Sequence, residues 1–274
     1  MRLLWPPARY VLILAYVLFA LFPLFWLVKI SFTPGPLLYS EGIRLWPSAT
    51  TLENFRFVLL QSQFPWFFAN SLTVSAATAA CVTLLAGAAG YALSRFTFRA
   101  KPVIAFLLLL TQMFPLVMLI PPIYRLMVPL GLTDSLLGLI VVYTAFNTPF
   151  ATFLMQSFFD GIPVTLEEAA MIDGCTRFGA LRRVIVPLTL PGMAATLGFV
   201  FTAAWSELLF ALMLVNSEEK MTFPVGLLSF VSKFAVEWGQ MMAATVLALI
   251  PVCIFFALIQ RYLVQGLTAG AVKG

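Results

Sequence analysis

The stretch Glu167–Gly192, EEAAMIDGCTRFGALRRVIVPLTLPG, is the one long polar interruption in an otherwise apolar chain, and its reading decides the fold. Pro163 and Thr165 open a short helix, with Thr165 and Glu168 at the spacing of an S/T-x-x-E capping box. Gly174 closes that helix, because glycine enters the left-handed conformation after a helix end, which costs a side chain roughly 1 kcal/mol. Thr176 caps a second helix, in which Phe178, Leu181 and Ile185 share a face. Arg177, Arg182 and Arg183 are left for water or an acidic partner, and Pro187 ends the helix. The stretch predicts a helix-turn-helix between two membrane spans.

Around it the composition points one way. Of 274 residues, 62% are hydrophobic and 10% charged, against about 25% charged in soluble domains, so the chain is an integral membrane protein. It has no histidine, which removes the usual acid-base group at neutral pH and the commonest metal ligand. Cys81, Cys175 and Cys253 have no C-x-x-C spacing and read as small apolar fillers. No catalytic residue and no metal site is expected. The excess of basic over acidic residues follows membrane topology, so no nucleic-acid partner is expected; the lipid bilayer is.

Working outward, six apolar runs are long enough to cross a bilayer core of about 30 Å at 1.5 Å per residue: approximately 10–30, 67–93, 103–126, 136–159, 191–215 and 241–264. The first is expected to be an uncleaved span, with Pro23 inside and Lys29 snorkelling at its end. Between it and the second span, Thr50 and Glu53 form another capping box, before a surface helix with Leu52, Phe55 and Leu59 on one face. The second span is rich in Ala, Gly, Ser and Thr, which lets neighbours approach closely, so it is expected inside a bundle. Pro115, Pro121 and Pro122 interrupt the regularity of the third, and Asn147 and Gln156 lie in the fourth. The expected fold is all-α, one transmembrane domain over 1–274 with six helices.

Cytoplasmic loops attract Lys and Arg. With both termini inside, that face holds Arg2, Arg9, Arg95, Arg99, Lys101, Arg177, Arg182, Arg183, Arg261 and Lys273. Lys29, Arg44, Arg56, Arg125, Lys220 and Lys233 fall outside. The polar stretch is then cytoplasmic.

The stretch resembles the EAA loop of ABC-importer permeases: Glu168-Ala169-Ala170, then Gly174, then Val186-Pro187-Leu188 through Leu190-Pro191. The outer segment TTLENF (50–55), Asn70-Ser71, and the ending Leu267-Thr268-Ala269-Gly270-Ala271-Val272-Lys273-Gly274 are similar to the carbohydrate group of that family, like the smaller membrane subunit of maltose-type transporters. The resemblance implies a permease of the bacterial or archaeal cytoplasmic membrane that pairs with a second homologous permease subunit. It further implies an ATPase subunit dimer, which holds the ATP and Mg, and an extracytoplasmic solute-binding protein that delivers a sugar or related polyol. No cofactor is expected on this chain, which lacks a Walker A sequence, and it is not expected to be an enzyme. The resemblance makes the first short helix the coupling helix, with Glu167, Glu168, Ala169, Ala170, Asp173, Gly174 and Arg177 coupling to the ATPase, and lets the ending reach between the ATPase subunits.

Gln112, Phe146, Asn147 and Trp205 are the candidate sugar contacts, as aromatic platforms and amides. Glu207 is the lone carboxylate inside an expected span, about 13 Å below its outer end. It resembles the family's Trp-Asn-Glu/Asp element with Ser206 in place of asparagine. Two roles are open to it: a hydrogen-bonding clamp between spans, or a residue lining the translocation path. A non-sugar ABC permease, or a secondary transporter or channel built on the proline-rich third span, are the alternatives.

Overall fold

The computed structural model describes residues 6–232 and 235–271; Arg2, Lys233, Lys273 and the last three residues of the ending at Gly274 lie outside that range. Along the chain run α1 (Pro6–Ser31), α2 (Gly35–Ser40), α3 (Glu53–Leu60), α4 (Phe64–Arg95), α5 (Lys101–Met113), α6 (Leu116–Met127) and α7 (Leu136–Asp160). There follow α8 (Val164–Ile172), α9 (Arg177–Ala180), a π turn (Leu181–Ile185), α10 (Val186–Trp205), α11 (Leu209–Leu214), α12 (Phe223–Gly226) and α13 (Trp238–Ala271). Among the described residues, five helices are long and apolar enough to cross a membrane, or six if the bent pair α5 and α6 counts as one span.

The chain divides into two compact units. One takes the described residues up to Pro65 together with Val225–Ile250. In it, residues 9–25 of α1 are exposed throughout. A helix apolar on all sides and unburied suits lipid, where its own hydrogen bonds satisfy the backbone. Lys29 does not snorkel into water: it is 5% exposed, with its amine over the Trp26 ring at 4.9 Å. The face of α3 is also the reverse of the expected one. Asn54 and Val58 are buried, whereas Leu52 and Leu59 are exposed. The Asn54 amide donates to the Ser31 and Thr33 carbonyls, both at 3.0 Å, which satisfies acceptors left over where α1 ends. The first turn of α3 is held by Thr51, which accepts from the Glu53 amide, and not by a Thr50–Glu53 box.

The other unit takes Trp66–Pro224 and the described residues from Pro251 on. Its core is α7, against which α5, α10 and α11 pack. One face of α4 is buried through Ser71, Ser75, Thr78, Val82 and Ala86, the small-residue face expected inside a bundle. Gly90 lets α4 touch α7: a Cβ there would lie 2.8 Å from the Gln156 backbone nitrogen.

Two expected spans are broken. The third bends by 105° between α5 and α6. Phe114 is extended, as a residue before proline is driven to be, while Pro121 and Pro122 sit inside α6. The fifth begins earlier than expected, at Arg177, and is interrupted at Ser206–Leu208. Pro187 does not end a helix. In the π turn the Val186 amide bonds to the Leu181 carbonyl, one residue further back than in an α-helix, and that shift of register admits Pro187 near the start of α10.

Candidate functional site

The two breaks face one cavity. It holds about 320 Å³ and is lined by Thr111, Gln112, Phe114 and Leu116 at the first break and by Ala203, Glu207 and Phe210 at the second. Tyr143, Phe146, Asn147 and Phe150 of α7 and Phe199 of α10 complete it. Irregular backbone at membrane depth is tolerated where it is buried in protein or lines a wet cavity, and both interruptions meet that condition at the same place. The walls are aromatic, with Phe146 against Phe210 at 4.8 Å and Phe150 against Phe199 at 4.4 Å between ring centroids.

Glu207 closes the second break chemically. Its Oε1 accepts the Phe210 amide at 2.9 Å, and its Oε2 accepts the Ala211 amide at 3.2 Å and the Tyr143 hydroxyl at 2.6 Å. The carboxylate thus satisfies amides that open α11 and ties them to α7. It clamps two helices and lines this cavity, and it lies at a helix break, not within a continuous span. Asn147 donates to the Tyr143 carbonyl at 2.8 Å, which leaves its side-chain oxygen for other donors. Gln112 has one long contact, 3.5 Å to the Thr111 hydroxyl.

Of the residues expected to contact solute, Gln112, Phe146, Asn147 and Glu207 come together and Trp205 does not. Trp205 is 3% exposed and sits among Phe68, Phe201 and Phe223, where it packs the core. Tyr143 was missed by the sequence reading. Its spacing of four before Asn147, on one helix face, was the available signal.

The polar stretch forms α8, the turn and α9. Pro163 caps α8 and no side-chain cap bond is made there, so the Thr165–Glu168 box does not form; both residues are already inside the helix. Gly174 has φ +88°, the Gly174 amide bonds to the Met171 carbonyl and the Cys175 amide to the Ala170 carbonyl, the paired bonds of a Schellman ending. Thr176 caps α9 by accepting the Gly179 amide at 3.1 Å. Of the face expected to pack, Ile185 is buried but Phe178 is 73% exposed; Ala180 is buried in place of Phe178, because the π turn rotates α9 relative to the residues after it.

Adjacent glutamates of α8 point apart. Glu168, Ala169 and Asp173 are exposed, and so is Ile172, at 85%. Glu167, with Ala170, is buried at 4% exposure, bonded to the Tyr91 hydroxyl and paired with Arg95 at 3.3 Å between Nε and Oε2. Arg177 lies over the Phe96 ring at 5.0 Å. Away from this end, the Asp134 carboxylate accepts the Asn216 and Ser217 amides at 3.0 and 2.8 Å and the Lys220 amine at 2.9 Å. Hydrogen bonds from the Ser217 side chain and backbone, with Lys220, hold its carboxyl well below the usual carboxylate range.

Residues 83–269 match the family model for the binding-protein-dependent transport system inner membrane component. The chain belongs to that family. It is 36% identical over 268 residues to the sulfoquinovosyl glycerol transport system permease protein SmoH of Agrobacterium fabrum, covering 98% of this chain and 94% of that protein. It is 35% identical over 272 residues to the trehalose/maltose transport system permease protein MalG of Thermococcus litoralis, covering 97% of each. A chain in the crystal structure of a bacterial ABC transporter involved in the import of the acidic polysaccharide alginate has the same fold, with TM-score 0.80, 24% identity and coverage of 93% and 94%. As an inner membrane component of a binding-protein-dependent transport system, the chain is a multi-pass permease subunit of an ABC importer and not an enzyme; ATP hydrolysis belongs to a separate subunit. Membership in this family removes the secondary transporter and channel alternatives.

Proposed function

We propose that the cavity at the two breaks is this subunit's share of the translocation path, and that it carries a neutral glycoside or polyol. The observation that supports this most is the convergence of both interruptions on one chamber with aromatic walls and underused amides. Transporters place solute where discontinuous helices meet, and binding pockets combine apolar walls with a few polar groups. Sugars among the solutes in the relatives' names support the carbohydrate class. Neutrality follows from charge. Glu207 lines the cavity, and no Lys or Arg is among its described lining residues. An anionic solute there would meet a carboxylate with no counter-charge, which is unfavourable in a low-dielectric site.

The complex in this reading holds a second homologous membrane subunit, two ATPase subunits carrying ATP and Mg, and an extracytoplasmic binding protein, with both termini and the loop 163–192 cytoplasmic. The exposed face of α8, with Glu168, Ala169, Ile172 and Asp173, docks on the ATPase; Gly174 and Thr176 fix its exit. Uptake by the complete transporter in proteoliposomes tests the path, with radiolabelled trehalose and maltose as probes and a uronic acid disaccharide as the anionic comparison. Gln112→Ala and Asn147→Ala are each expected to lower neutral sugar uptake several-fold without lowering ATP hydrolysis. Unchanged uptake in both variants, or preference for the uronate, overturns the reading.

A further inference from the structure

The last turn of α4 is an anchoring post. Tyr91, Ser94 and Arg95 stand three and four residues apart and so share one face. From that face the Ser94 hydroxyl donates to Asp160 at the end of α7 at 2.5 Å, and an Arg95 Nη2–H donates to the Ile162 carbonyl at 2.8 Å. Arg95 and Tyr91 then both take hold of Glu167 on α8. The Tyr91 ring lies edge-on to Phe159 of α7 at 5.5 Å and to Phe96 at 5.9 Å, and Phe96 carries Arg177 of α9. The last turn of α4 therefore touches the end of α7, the linker and α8, and Phe96, the next residue, touches α9.

This geometry answers a mechanical need. By chain alone, α8 joins α7 through the three residues Gly161, Ile162 and Pro163. α8 also packs on α9 and the π turn, which lead into α10, but towards α7 and α4 a push on its exposed face is carried only by that linker and by side chains that bridge it. The Arg95 and Glu167 side chains are 7% and 5% exposed, so water screens the pair little.

We infer that Glu167, held by Arg95 and Tyr91, is a positioning residue that straps α8 to α4, so that α8 moves as one body with α4 and α7. Glu167 does not itself touch the ATPase; its neighbour Glu168 faces outward for that contact. The inference rests on α8 being the docking helix, and the experiment separates the two ideas.

In the complete transporter in nanodiscs, with Cys81, Cys175 and Cys253 replaced by serine, nitroxides at Leu85 of α4 and Leu166 of α8, both exposed and neither among the docking residues, report their separation with and without ATP and Mg. In a second preparation Ala203→Cys reports, by its rate of reaction with an impermeant maleimide, the opening of the cavity after ATP and vanadate. The parent is expected to show one narrow distance, unchanged by nucleotide, and an ATP-driven rise in labelling. Glu167→Gln broadens the distance and cuts the rise on the order of tenfold, as expected for losing one partner of a buried pair. Tyr91→Phe does so less, and basal ATP hydrolysis stays unchanged in both. A parent distance and a parent labelling response in Glu167→Gln overturn the strap, as does a fall in labelling that merely tracks complex yield and basal hydrolysis. If nucleotide never changes labelling in the parent, yet the distance is narrow there and broad in Glu167→Gln, the strap stands and the docking role of α8 is what fails.

Discussion

Glu167 and Glu207 each accept a hydrogen bond from a tyrosine of an earlier helix, Tyr91 and Tyr143, but their charges are balanced by different means. Glu167 meets a guanidinium; Glu207 meets the two amides that open α11. An ion pair fixes a direction between two side chains on separate elements. A carboxylate over backbone amides instead completes a broken helix, and it leaves its other flank available to the cavity. The comparison teaches that the same chemical group serves rigidity where a cation is supplied and openness where only dipoles are.

The largest expected effect breaks the first site. Glu167→Leu leaves Arg95 buried without its counter-ion, at a cost of about 3–5 kcal/mol. Assembled complex, measured by size-exclusion yield and thermal stability, is expected to be nearly lost. Glu207→Leu comes second: it removes the acceptor of the Tyr143 hydroxyl and two amides but strands no opposite charge. Tyr143 and Phe210 border the cavity, where water takes the place of the lost acceptor, so the total stays near the cost of one buried unsatisfied group, about 1–3 kcal/mol. Glu207→Gln keeps an acceptor and is expected to retain most of the yield. If Glu207→Leu proves the more damaging, the contrast between ion pair and dipoles is wrong.

A smaller effect sharpens the contrast at the far end of α8. An added Cβ at Gly174 meets nothing within 4 Å, so Gly174→Ala costs only the left-handed backbone, about 1 kcal/mol. ATP-driven cavity opening is expected to fall while complex yield holds. The smallest effect is at Asp134, a third carboxylate and a half-buried one. Its carboxyl is lowered in the folded chain, so its stabilisation is complete above the unfolded value of 3.8 and is lost only as pH falls through the lower folded value. A nitroxide at exposed Glu218 is therefore expected to keep the same mobility from pH 7 to pH 4 in the parent. Asp134→Asn, which tolerates the local φ of +49°, is expected to loosen it at every pH.

The apolar runs were legible because hydrophobic length is enough to mark a span, and Gly174 and Thr176 because their local hydrogen bonds depend on neighbours in sequence. What escaped were the features set by partners far along the chain. Nothing near Glu167 indicates that it, and not Glu168, turns inward; Arg95 decides that, and it sits at the end of another helix. Asn54 reads as a polar residue on a surface helix until the unpaired carbonyls of Ser31 and Thr33 are beside it. Trp205 reads as a platform for sugar only while Phe68 and Phe223 are out of view. The packed faces of the short helices outside the spans escaped for the same reason: Asn54 and Val58, not Leu52 and Leu59, are buried on α3, and Phe178 of α9 is exposed.

The π turn before α10 has a consequence that concerns counting, not chemistry. Each residue of an α-helix turns the chain by about 100°, so one surplus residue between Leu181 and Ile185 rotates everything before it by that angle about the axis of α10. Arg177 reaches the Phe96 ring from that rotated heading. Deleting any single residue from 181–185 would restore regular winding and swing α9 roughly a quarter turn off its seat. Length is therefore the stricter specification in this segment: an exposed Arg182 or Arg183 could change identity with little effect, whereas its absence would re-aim the whole loop.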